Sequence, residues 1–171
     1  MNLYFPASSD KKTVFSAIEK YISDQQFIIV NKDENRPWGG FYVIDEAQAG
    51  FFIETWFKNV YDPLPRLQEM VSPKILVVAP GKRLSWQYHH RRSERWKVIG
   101  GYAGVVQSFT DDETEIKNYH EGDVIRLQKG ERHRLVGLDA WGIIAEIWEH
   151  TDSNNPSNED DIIRLQDDFG R

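Results

Sequence analysis

The chain has 171 residues, 40% of them apolar and 28% charged, enough for one ordinary globular domain with a real core. Its net charge is −6, and no basic run exceeds His89–Arg92, which argues against a nucleic-acid partner because phosphate-backbone binding needs a basic face. There is no cysteine, so disulfides and thiolate chemistry are excluded and any metal must be held by nitrogen and oxygen.

The first residues, Met1–Pro6, lack the basic and long apolar stretches of a signal peptide. The longest apolar runs are about five or six residues, such as Ile75–Ala79, too short to span a bilayer. A cytoplasmic protein with no membrane association is expected. Ser8-Ser9-Asp10 offers a helix N-cap. Behind it, Val14, Phe15, Ile18, Tyr21 and Ile22 recur at helical spacing, predicting an amphipathic helix that packs on the body or on a partner subunit.

From Phe27 the period shortens. Phe27–Val30, Phe41–Ile44, Phe51–Phe57, Ile75–Ala79, Trp96–Ile99, Val105–Phe109, Ile116–Tyr119, Val124–Leu127 and Trp141–Trp148 read as strands. Turn residues separate many of them: Asn31–Asn35, Pro80-Gly81, Gly100-Gly101, Asp111-Asp112, Glu121-Gly122 and Lys129-Gly130. Many short strands without helices between them predict an all-β sandwich or barrel. The high aromatic content of 13%, with six Trp, suits a β-rich core or a sugar-binding surface. Residues 151–160 form a polar loop, and Asp161–Leu165 is a short element that could pack back on the body. Residues 1–35 are read as a helical and strand extension, and residues 36–171 as the metal-binding domain.

Two segments carry the chemistry. In the first, strand alternation places Arg83, Ser85, Gln87 and His89 on one face and Leu84, Trp86 and Tyr88 on the other. After a turn, Glu94, Trp96 and Val98 share a face of the next strand. A polar stripe inside a small barrel is costly unless it meets something, and Gln, His and Glu converging from neighbouring strands suit a divalent cation. The second segment, Gly122–His133, reads as a strand, a glycine turn and a histidine that starts the returning strand. Gln87, His89, Glu94 and His133 are therefore the predicted ligands, leaving open positions for water or substrate oxygens. His90 has the opposite parity to His89 and is left out. His120 and His150 are read as ordinary surface or core residues.

The bracketing glycines and ligand spacings resemble the two motifs of the cupin family. Gly81, Gln87, His89, Glu94 and Gly101 fit the first motif, with Gln87 replacing its first His. Gly122, Gly130 and His133 fit the second, with Gln128 replacing its Pro and Gly137 its Asn. This implies a cupin fold, a double-stranded β-helix or jelly-roll barrel, here with an N-terminal helix and a short C-terminal element. The run from Gln87 to Trp96 further resembles the signature of type II mannose-6-phosphate isomerases. Arg36–Gly39, Pro80–Ser85, His133–Leu135, Glu159–Arg164 and Phe169–Arg171 agree, so the resemblance covers about residues 36–171. Arg91 and Arg95 depart from it, standing where the family usually has His. By parity Arg95 faces away from the metal. The nucleotidyltransferase domain that precedes this domain in many relatives is not expected, because too few residues come before residue 36.

The resemblance implies a metal-dependent interconversion of mannose 6-phosphate and fructose 6-phosphate through a cis-enediol. Zinc is the first choice of metal, with iron, manganese, cobalt and nickel as alternatives. The chemistry also needs a base and a cationic clamp for the phosphate. Glu146, in the apolar strand Ile143–Trp148, is the favoured base, with Glu131 as its competitor. Arg83 and Arg92, assisted by Arg134 or Arg171, are the favoured clamp, and Ser85 orients a ligand or packs. Trp86, Trp96 and Trp148 read first as core. Two other readings stay open: an isomerase or epimerase of a free or different sugar, and a non-catalytic cupin that binds metal or sugar. A homodimer is expected, since dimerisation covers unpaired sheet edges.

Overall fold

The computed structural model describes residues 3–58, 60 and 70–170. Asp10 starts the first helix, α1 (Lys11–Asp24), by accepting a hydrogen bond from the Thr13 backbone N–H at 3.0 Å. Val14, Phe15, Ile18 and Ile22 lie buried along one side of it. Strands β1 (Ile29–Asp33) and β2 (Gly39–Ile44) follow as an antiparallel pair. The N-terminal 35 residues thus contribute a sheet strand as well as a helix.

The run Phe51–Phe57 departs from its expected strand. It lies in a second helix, α2 (Ala49–Phe57), entered through a short 3-10 turn that Asp45 caps. Its buried residues are Phe52, Ile53, Trp56 and Phe57, a helical and not an alternating pattern. A short, wholly apolar run suits a buried strand or a buried helix equally, so its periodicity alone could not decide.

The remaining elements are strands: β3 (Lys74–Val78), β4 (Trp86–Tyr88), β5 (Arg92–Gly100), β6 (Tyr102–Ser108), β7 (Lys117–His120), β8 (Val124–Leu127), β9 (Arg132–Gly137), β10 (Gly142–His150) and β11 (Ile163–Gln166). They form two antiparallel sheets. One has the order β1-β2-β3-β10-β5-β8 and the other β11-β4-β9-β6-β7. This is the jelly-roll barrel of the cupins. Gly101, at φ +60°, turns β5 into β6 so tightly that a Cβ there would lie 2.1 Å from the Trp141 carbonyl oxygen.

Strand β10 runs through the middle of the larger sheet and is buried on both faces from Gly142 to Trp148. Outward, Ile143, Ala145 and Ile147 join Ile75, Val77, Phe15, Ile18, Phe52 and Phe57 in one apolar core beneath the helices. Inward, Ile144 joins Leu76, Val78, Trp96, Val98, Ile125, Leu127 and Leu135 in a second core between the sheets. Each such side chain, fully buried, contributes about 1.5–3 kcal/mol. The inner core closes one end of the barrel. The other end holds a cavity of about 440 Å³. Among the described residues, no helix is long and apolar enough to cross a membrane.

Candidate metal centre

Three of the four predicted ligands converge on one point. His89, Glu94 and His133 are all buried, and one donor atom of each lies within 4.8 Å of the others. They come from different places: His89 follows β4, Glu94 is on β5 and His133 on β9. Gln87 on β4 is the direct cross-strand partner of His133 and lines the cavity. Its side-chain oxygen accepts a hydrogen bond from Ser85 Oγ at 2.6 Å, and Ser85 lines the cavity too.

The two histidines are oriented alike. His89 Nδ1 donates to the Asp161 carbonyl oxygen at 2.5 Å, and His133 Nδ1 donates to the Glu131 carbonyl oxygen at 3.0 Å. Each ring therefore turns an Nε2 lone pair inward, the arrangement that prepares an imidazole for a metal. His89 Nε2 lies 3.1 Å from one Glu94 oxygen, and His133 Nε2 lies 3.5 Å from the other. Glu94 Oε2 and His133 Nε2 are buried without a hydrogen-bond partner. Arg92 Nη2 reaches His89 Nε2 at 3.2 Å and Arg92 Nε the first Glu94 oxygen at 2.7 Å, so the pair left facing one another out of water, Glu94 Oε2 and His133 Nε2 at 3.5 Å, is where a cation is called for. The spacing suits donors that share one ion at bond lengths of about 2.0–2.2 Å. The donor set fits a divalent metal.

The charges around this point are sorted. Burial lowers the His89 pKa, against the opposing pull of the Glu94 carboxylate, and so favours the neutral ring. Burial pushes the Glu94 carboxyl up, but His89 and the Arg92 guanidinium beside it, with hydrogen bonding at the two histidines, outweigh that and hold Glu94 well below the usual carboxylate range. Glu146, on β10, behaves oppositely. Burial and the nearby Glu94 charge push it up to about 7, although Lys74, Arg92 and a 2.9 Å hydrogen bond from Trp96 Nε1 favour its ionised form. Both carboxyls line the same cavity.

Residues 23–167 match the family described as mannose-6-phosphate isomerase C-terminal. The chain belongs to this family. It is 39% identical over 136 residues to the alginate biosynthesis protein AlgA of Pseudomonas aeruginosa, covering 80% of this chain and 22% of AlgA. It is 33% identical over 128 residues to the xanthan biosynthesis protein XanB of Xanthomonas campestris, covering 72% of this chain and 26% of XanB. The chain thus spans about a quarter of the length of these curated relatives. Among solved structures, the capsular polysaccharide assembling protein CapF of Staphylococcus aureus superposes with a TM-score of 0.50 at 18% identity, over 82% of this chain and 34% of CapF. Lactobacillus farciminis oxalate decarboxylase does so with a TM-score of 0.52 at 20% identity, over 79% of this chain and 33% of that one. These two share the fold alone.

In this member of the mannose-6-phosphate isomerase C-terminal family, the expected clamp does not assemble. Arg83 lies outside the cavity, with its guanidinium on the Asp168 carboxylate at 2.7 and 2.9 Å. The strict alternation assumed from Arg83 to His89 fails because β4 covers only Trp86–Tyr88, while Arg83 makes an isolated bridge to Val136. Leu84 lines the cavity in its place. Arg134 follows His133 on β9 and points to the opposite face, where it binds Glu113 at 2.6 Å and the Gln166 carbonyl oxygen at 3.2 Å. Glu131 is not in the cavity wall. Its carboxylate accepts from the Gln128 N–H at 2.7 Å and shapes the turn that delivers His133. Arg171 lies outside the described residues.

Arg92 does line the cavity, but its donors are engaged. It binds Glu94 at 2.7 Å, Ser157 Oγ at 2.9 Å and the Asn158 carbonyl oxygen at 3.0 Å, and it stacks 3.7 Å from the Trp148 ring centre. Arg95 faces the other way, buried against Glu149. Trp96 and Trp148 are cavity walls as well as core, whereas Trp86 is core only.

Three contributors went unread in the sequence. Asp161 holds the ligand loop: its carboxylate accepts from the backbone N–H of His90 and Arg91 and from Ser157 Oγ, at 2.7–3.0 Å. Burial raises its pKa, but these hydrogen bonds prevail and hold it below the usual carboxylate range. Lys74 and Arg36 line the cavity as cations. Lys74 had a visible signal, a lone charge opening the apolar run Ile75–Val78.

Proposed function

We propose that this domain is a metal-dependent aldose–ketose isomerase that interconverts mannose 6-phosphate and fructose 6-phosphate, or a closely related sugar phosphate. One observation carries the reading: two buried carboxyls in one cavity, with pKa values driven apart. Glu94, ionised between two histidines, is suited to hold a cation. Glu146, poised near 7 and hydrogen-bonded to Trp96, is suited to take and return a proton. A carbonyl–hydroxyl isomerisation needs that division, because one proton must move between adjacent carbons without net redox change.

Gln87, His89, Glu94 and His133 would hold the metal. When bound, it supplies Lewis-acid polarisation of the substrate oxygens. Glu146 takes the proton from C2 of the aldose and returns it to C1, while the O2 hydroxyl proton passes to O1, so that the C1 carbonyl becomes a hydroxyl and the C2 hydroxyl a carbonyl. The apolar and aromatic walls, Leu76, Leu84, Trp96 and Trp148, desolvate the Glu146 carboxyl and so raise its affinity for a proton.

The test is conversion of fructose 6-phosphate to mannose 6-phosphate by metal-loaded protein, followed by NMR in deuterated water, where solvent deuterium entering at C2 of the mannose 6-phosphate reports proton exchange. Exchange and mannose 6-phosphate should appear, and both should stop with EDTA. Turnover of free mannose alone would move the activity to a free sugar. Sugar binding without any exchange would make this a binding cupin.

A further inference from the structure

We propose that Lys74 anchors the anionic group of the substrate, and that the Glu159 carboxylate stands in for that group when no substrate is bound. The sugar-phosphate identity of the substrate rests on the function proposed above. The anchoring rests on the geometry of the six-stranded sheet.

Across that sheet one row of paired residues runs Val43, Lys74, Glu146, Trp96, Ile125. Paired residues of neighbouring strands point to the same face, here the cavity face. Lys74 is therefore the side neighbour of Glu146. Glu94 lies on the far side of Glu146, one row along, paired with Trp148. Two strand spacings across the sheet and two residues along it, roughly 12 Å in all, separate the Lys74 and Glu94 backbones. A substrate that is bound through its oxygens at Glu94 and gives up a proton at Glu146 extends its far end toward Lys74. That span suits a sugar carrying a terminal phosphate.

The surroundings of Lys74 suit a displaceable anion. The residue is 8% exposed, an unusual place for an ammonium, and every other residue of β3 is apolar. Its Nζ sits 4.2 Å from the Trp148 ring centre and 2.6 Å from Glu159 Oε1. The Glu159 side chain is 77% exposed, on the loop at the cavity mouth. A buried cation needs an anion, and this one comes from solvent-facing chain that can swing away. Arg36, over the Phe41 ring on the same wall, is already paired with Asp33 at 2.8 Å, which leaves Lys74 as the principal anchor.

The experiment is equilibrium binding by titration calorimetry to the metal-loaded protein, with inorganic phosphate, fructose 6-phosphate and free fructose as probes. Lys74→Met should weaken fructose 6-phosphate by about 30-fold or more and leave free fructose unchanged, while Lys74→Arg retains most of the affinity. Glu159→Gln should tighten fructose 6-phosphate and phosphate about two- to five-fold, because the internal competitor is gone. Unchanged affinity in Lys74→Met overturns the proposal, and so does unchanged or weaker affinity in Glu159→Gln. Should Lys74→Met fail to fold, Glu159→Gln at an exposed position decides. If wild type binds with this pattern but forms no mannose 6-phosphate from fructose 6-phosphate, the isomerase reading fails and the anchor stands. If it isomerises and Lys74→Met lowers kcat at unchanged KM, the anchor fails and the isomerase reading stands.

Discussion

The two faces of the six-stranded sheet are built from opposite materials. The outer face of β3 and β10 is continuous aliphatic surface, closed over by the aromatics of α1 and α2. The inner face of the same strands carries Lys74, Glu146 and Trp148, and that of β5 carries Glu94 and Trp96. Strand alternation lets one strand serve both faces: Ile143, Ala145 and Ile147 hold helices, while Ile144, Glu146 and Trp148 shape the cavity. Buried charges are poor sources of stability, because desolvation offsets much of their attraction. Apolar burial on the outer face compensates for the charges on the inner face. The N-terminal helix and α2 act, on this view, as the part of the core that makes a polar cavity tolerable.

The division is sharpest where the largest effect is expected. Glu146→Gln should lower kcat for fructose 6-phosphate by about 10²–10⁴-fold, the usual contribution of a positioned base, with metal affinity retained. It should also change the pH dependence of stability. Glu146 has a folded pKa raised from 4.5 to about 7. Its contribution is therefore fully present below about 4.5 and is lost as pH rises through about 7. In metal-free protein, thermal melts across that window should slope downward for wild type and flatten for Glu146→Gln. A kcat within threefold of wild type would remove Glu146 from the mechanism.

Next come two substitutions that should separate cleanly. Phe52→Ala, beneath the helices, should cost about 3–5 kcal/mol of stability and leave metal affinity within twofold. His133→Ala, in the cavity, should lower metal affinity by more than 100-fold, beyond the 10–100-fold typical of losing a merely supporting residue. The two sites share no partner, so the double variant should show both effects added. Metal affinity that falls with Phe52→Ala would show that the faces are coupled through β10. Slightly smaller is Asp161→Ala, which leaves the His90 and Arg91 N–H groups and Ser157 without their acceptor. It should weaken metal binding by about 10–100-fold while the barrel still melts cooperatively.

How much of this was readable in the sequence follows from how local each signal was. The barrel was readable because turn residues punctuate the strand runs. Gly130, at φ +76°, shows what such a turn demands. The approach of His89, Glu94 and His133 was readable because strand parity and two glycine-bracketed turns set their directions. Phe51–Phe57 was not, since its helix is decided by what covers it. Arg83 was not, because alternation assumes a regular strand and residues 83–85 are irregular. Arg134 was contradicted by parity itself: with His133 inward, its neighbour points out. Lys74 stood out as a lone charge before an apolar run, but its role and that of Asp161 were hidden because their partners, Glu146 and Glu159 for one and His89–Arg91 for the other, are distant in sequence and adjacent only in the fold.

The smallest expected effect tests the boundary between the faces most closely. Arg83 stands two residues from Ser85, a cavity residue, yet its guanidinium lies on Asp168 outside. The pair is bidentate but about a third exposed on each side, at 38% and 34%, so solvent screens it. Arg83→Ala should therefore cost at most about 1 kcal/mol of stability. KM for fructose 6-phosphate should stay within twofold, because no donor leaves the cavity wall. A tenfold rise in KM at unchanged stability would give Arg83 the phosphate after all. It would require the chain between Arg83 and Ser85 to turn over when substrate binds, and the inner wall would then extend one residue pair further than the alternation at β4 allows.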